Sequence, residues 1–107
     1  MRKIKVNVKA VDTYYHKTYY ATCSLGRGKG KETLVEFWQS LGGWSFDTKK
    51  VLGWHGGFWS GTVVPGTEFP VEYLKRLCQA VWILVTNDTE FPEVELTVGA
   101  KRLLGIQ

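Results

Sequence analysis

ETLVEFWQSLGG occupies residues 32–43. Leu34, Val35, Phe37, Trp38 and Leu41 recur at intervals of three and four, which on a helix gathers them into one wide apolar stripe. Gly42-Gly43 then supplies a stop. The spacing predicts a helix over residues 32–41.

The flanking sequence reads differently. In residues 3–11, Ile4, Val6, Val8 and Ala10 alternate with Lys3, Lys5, Asn7 and Lys9, the pattern of a half-buried strand with a basic outer face. TYYATCSL, residues 18–25, reads as a second strand. Between them, TYYHKTYY is a near-palindrome about His16-Lys17, and a two-residue turn there would pair Tyr14 with Tyr19 and Thr13 with Tyr20. Downstream, residues 44–64 are β-rich. Within GWHGGFW, residues 53–59, Gly56-Gly57 suits a hairpin turn that sets His55 opposite Phe58 and Trp54 opposite Trp59. Val71, Leu74, Leu77, Cys78 and Val81 predict a second helix over 70–85, with Pro70 in its first turn, although AVWILV at its end also reads as a strand. EVELTV, residues 93–98, alternates again and reads as a last strand, whereas the tail GAKRLLGIQ has no decisive period. TEFP occurs at residues 67–70 and 89–92, but the sequences that follow differ in period, so it is not a structural repeat. The order β-β-α-β-β-α-β predicts a single α+β domain over residues 1–107, a mainly antiparallel sheet with two helices packed on one face.

A chain of 107 residues, 44% hydrophobic and 22% charged, is long enough to bury a core without metals or disulfides and too apolar to be disordered. Cys23 and Cys78 are far apart with no CxxC, and are expected reduced and buried in a cytoplasmic protein. MRKIKVNVK lacks the pattern of a signal peptide, and the apolar run AVWILV is far too short to cross a membrane. The net charge of +4 is unevenly spread: residues 1–31 hold eight basic groups against one acid, and the remainder holds six against nine. A basic face of that kind attracts phosphates or an acidic partner.

Three stretches could carry chemistry. GRGKGK, residues 26–31, lies between a predicted strand and a predicted helix, where free N–H groups and the helix dipole favour anions. Gly28 and Gly30 would let the backbone close around a phosphate held by Arg27, Lys29 and Lys31. The spacing matches neither the Walker pattern nor GxGxxG. The second stretch is the aromatic hairpin, where Trp54, Trp59 and Phe58 could stack bases. The third is the tyrosine cluster Tyr14, Tyr15, Tyr19 and Tyr20, where outward rings, Tyr14 and Tyr19 above all, could do the same or form a protein-binding patch. His55, His16 and Lys17 would be supporting polar groups. No catalytic motif, metal-ligand spacing or cofactor signature is present, which argues against an enzyme and leaves open a small one acting on phosphoesters with His55 as acid or base.

The reading these features favour is a non-catalytic binding module for single-stranded nucleic acid or a nucleotide. A nucleotide sequestrant would often place its pocket at the subunit interface of a homo-oligomer. The alternative is a small protein–protein inhibitor or adaptor, of the kind mobile elements use to block a larger host enzyme, because aromatic and Arg-rich patches also suit such interfaces.

Overall fold

The computed structural model describes residues 2–24, 31–40, 43–48, 60–62, 66 and 68–106. The described elements are β1 (Lys3–Asp12), β2 (Lys17–Ser24), β3 (Lys31–Ser40), β4 (Gly43–Thr48), β5 (Ser60–Thr62), α1 (Val71–Thr86), β6 (Glu93–Leu96) and α2 (Val98–Leu104). They make an α+β fold with a mixed sheet in the order β5-β4-β3-β2-β1-β6. Neighbours are antiparallel except β1 and β6, which run parallel.

The predicted helix over 32–41 is a correction: residues 31–40 form strand β3, and the order becomes β-β-β-β-β-α-β-α. A β-bulge explains the misreading. Ala21 pairs with Val35 and Thr22 with Thr33, so Leu34 is the extra residue. Leu34 and Val35 are both buried, as is Phe37, while Glu36 and Trp38 are half-buried on the opposite side. The bulge breaks the two-residue period and leaves apolar residues at 34, 37 and 38, which imitates a helical stripe. Thr33, Val35, Phe37 and Trp38 are residues that suit a pleated surface.

The core lies on one face of the sheet. Ile4, Val6 and Val8 of β1, Ala21 and Cys23 of β2, Val35 and Phe37 of β3, and Trp44 and Phe46 of β4 meet Leu74, Leu77, Cys78, Val81 and Trp82 of α1. Helix α1 follows the predicted span closely. Pro70 precedes it, donates no N–H, and accepts from Leu74 N at 3.0 Å. Asn87 ends the helix in the left-handed conformation, φ 57°. Phe69 anchors the helix entry, with its ring centroid 5.2 Å from Tyr19, 5.4 Å from Phe37 and 5.0 Å from Trp44.

The tail resolves into α2. Thr97 Oγ1 accepts from Ala100 N at 3.1 Å and donates to Asn7 Oδ1 at 2.6 Å, so one hydroxyl caps the helix and ties it to β1. Gly105, φ 71°, ends it. Among the described residues, no helix is long and apolar enough to cross a membrane.

Candidate nucleic-acid interface

Alternation along β1 sends Lys3, Lys5 and Lys9 to the face opposite the core, where all three are exposed. The register decides what stands beside them. On β6, Glu93 lies opposite Lys3 and Glu95 opposite Lys5, with Lys5 Nζ 3.9 Å from Glu95 Oε1. Lys9 instead lies opposite Tyr20 of β2, in a row continued by Glu36 and Asp47. The adjacent row runs Val11, Thr18, Trp38 and Ser45. One end of this outer face therefore holds a lysine beside a half-buried tyrosine, with a half-buried tryptophan in the next row.

The β1–β2 connection completes that end. The strands close at Asp12 opposite Lys17, which leaves Thr13–His16 as a four-residue loop rather than a turn at His16-Lys17. Tyr19 accordingly faces Ala10, and Tyr20 faces Lys9. Thr13 holds the loop: its N–H donates to His16 O at 2.8 Å, its hydroxyl donates to the same carbonyl, and His16 N–H donates to Thr13 Oγ1 at 3.2 Å. Tyr14 and Tyr15 stand at the tip, 92% and 86% exposed, ring edge to ring face at 4.8 Å. His16 folds back onto Trp38, the rings stacked at 5.7 Å with 18° between planes.

The sequence-predicted residues divide three ways. Tyr14, His16 and Lys17 gather at the hairpin end and are exposed. Tyr19 is half-buried, its ring at 5.5 Å from Trp44 and against Phe69, so it belongs to the wall of the core. Lys31 begins β3. Arg27, Gly28, Lys29 and Gly30, and with them Trp54, His55, Phe58 and Trp59 and the Gly56-Gly57 turn, lie outside the described residues. The sequence does not single out Trp38, which the helical spacing places on an apolar stripe, whereas Tyr20 belongs to the predicted tyrosine cluster, though in a turn register that sets it opposite Thr13. The alternation of lysines in β1 was the signal that marked the face.

A cavity of about 420 Å³ opens at the same end, lined by His16, Lys17, Tyr19, Gln39 and Trp44. Trp44 is only 5% exposed, and its buried Nε1–H has no acceptor among the described residues. Among the described residues no group of three or more His, Cys, Asp or Glu could hold a metal ion. The two cysteines are buried free thiols. Burial pushes Cys23 up to about 11, and raises Cys78 further, with the nearby Cys23 as a second cause. Thiols so far from ionising are poor nucleophiles and poor metal ligands. No family model, curated protein or solved structure matches the chain.

Proposed function

We propose that the chain is a non-catalytic binding module for single-stranded nucleic acid or a nucleotide, and that the ligand lies over the hairpin end of the outer sheet face. The observation that supports this reading most is the pairing of Lys9 with Tyr20 beside the Trp38–His16 stack. Single strands need a cation that tracks the backbone and aromatic faces that accept any base, and this end offers both within two adjacent rows. Strands in a sheet are about 4.8 Å apart, so a lysine and a ring on neighbouring strands can engage phosphate and base of one strand segment. Lys17 adds a second exposed cation, and Tyr14 and Tyr15 extend the aromatic surface beyond the sheet. The Lys5–Glu95 contact is a solvent-exposed pair, worth at most about 1 kcal/mol, so a phosphate could replace the carboxylate there.

The test is fluorescence anisotropy of labelled random single strands at about 50 and 200 mM salt. Each neutralised phosphate steepens the log–log dependence by about 0.7, so the double substitution Lys9→Gln with Lys17→Gln should flatten it by about 1.4. An unchanged slope in that variant, or no binding at the lower salt, overturns the placement. The exposed Tyr14–Tyr15 pair also fits a protein partner, since tyrosine is enriched at such interfaces. A protein inhibitor or adaptor would leave strand binding absent at both salts.

A further inference from the structure

The cavity beneath the β1–β2 hairpin differs from the open face beside it. Its described polar lining is rich in donors: the Lys17 ammonium, the His16 imidazole, the Gln39 amide and the Trp44 indole. Among the described residues no carboxylate lines it. Two of its walls are aromatic, Tyr19 and Trp44, held edge to face at 5.5 Å and braced from behind by Phe69. Trp44 and Tyr19 thus line a cavity large enough for a small ligand.

We infer that this cavity receives one nucleotide, its base against the Tyr19–Trp44 walls and its phosphate toward Lys17. The inference deepens the nucleic-acid reading and rests on it: the open face holds a strand, and the cavity takes a single nucleotide, either free or borne by that strand. Nucleobases are planar and pack against aromatic walls, and the phosphate supplies the anion that a mouth rich in donors favours. His16, stacked on Trp38, lies at the boundary between face and cavity.

The experiment follows the indole N–H resonances of the five tryptophans by heteronuclear NMR while adenosine monophosphate, uridine monophosphate, inorganic phosphate or an unlabelled single strand is added. Trp44 is assigned by loss of its signal in Trp44→Phe, or by sequential assignment of the parent if that variant does not fold. The expected result is a saturable shift of the Trp44 resonance with a mononucleotide or with the strand, none with inorganic phosphate, and about tenfold weaker binding in Lys17→Gln, an exposed position. A Trp44 resonance that neither mononucleotide nor strand moves overturns the inference, as does an equal shift with phosphate alone. Strand binding by anisotropy with Trp44 unmoved would sink the cavity and leave the face standing. A mononucleotide shift without strand binding would do the reverse.

Discussion

The tetrapeptide TEFP occurs twice and offers an internal control on the packing argument. Phe69, in the first copy, sits among Tyr19, Phe37 and Trp44 with ring centroids 5.0–5.4 Å away. Phe91, in the second, is 61% exposed. Each aromatic pair contributes about 0.5–1.5 kcal/mol beyond the area it buries, and truncating a core Phe to Ala costs about 3–5 kcal/mol in all. Phe69 is only half-buried, which sets the expected cost of Phe69→Ala near the lower end, about 3 kcal/mol. Phe91→Ala should stay within about 0.5 kcal/mol of the parent, as surface substitutions usually do. Urea unfolding followed by far-UV circular dichroism measures both. With a slope of about 1–3 kcal/mol per molar urea for small proteins, Phe69→Ala should lower the midpoint by about 1–3 M. Equal effects at the two sites would refute the claim that Phe69 joins the α1 entry to the sheet, because the local sequence is the same and only the surroundings differ.

Four further outcomes follow from the same structure. The two thiols should resist alkylation in the folded protein and react only on unfolding, which a thiol-reactive dye monitors with and without urea. Because burial raises Cys23 from an ordinary 9.0 to about 11, the folded state keeps a proton that the unfolded state loses. The associated stability, on the order of 2–3 kcal/mol, is present below pH 9 and disappears as pH rises through about 11, so urea midpoints should fall across that window and fall less in Cys23→Ala relative to its own neutral value. At Gly105, φ 71° and open space around the missing Cβ leave only backbone strain, so Gly105→Ala should cost about 1–2 kcal/mol in the same unfolding assay. Thr13→Ala should cost about 1 kcal/mol of stability and, by loosening the Tyr14–Tyr15 tip, weaken strand binding without changing its salt slope.

Much of the fold was legible where one physical signal dominated. Strict alternation marked β1, and helical spacing bounded by Pro70 and the Asn87 turn marked α1 to within a residue or two. The α+β class followed from those signals. Elsewhere two signals competed. At β3 the bulge at Leu34 placed consecutive apolar residues in the core, and a pattern with two interpretations was read as a helix. Pairing with β2 and β4 on both sides, a tertiary effect, decides it for a strand. At the tail the capping residues Thr97 and Gly105 were present, but only seven helical residues separate them, too short for a periodic pattern. Of the candidate site, the sequence shows the chemistry of the hairpin end and not its geometry, and the candidates at residues 27–30 and 54–59 lie outside the described residues. Lysines on one side of β1 and tyrosines at the hairpin were visible, whereas the turn register was not, because His-Lys favours no tight turn and Thr13 closes a four-residue loop by side-chain bonds. Trp38 could be placed outward only once β3 was known to be a strand.

The central claim is that a single strand lies on the hairpin end of the outer sheet face. Backbone amide shift mapping with an unlabelled single strand tests it most directly. The account predicts that the largest shifts cluster at Lys9, Val11, Thr18, Tyr20 and Trp38 and in the Tyr14–Lys17 loop, with Glu93, Glu95 and the α1 core residues little changed. Shifts centred on α1 or on the β6 edge, with the Lys9–Tyr20 and Thr18–Trp38 rows unmoved, would contradict it.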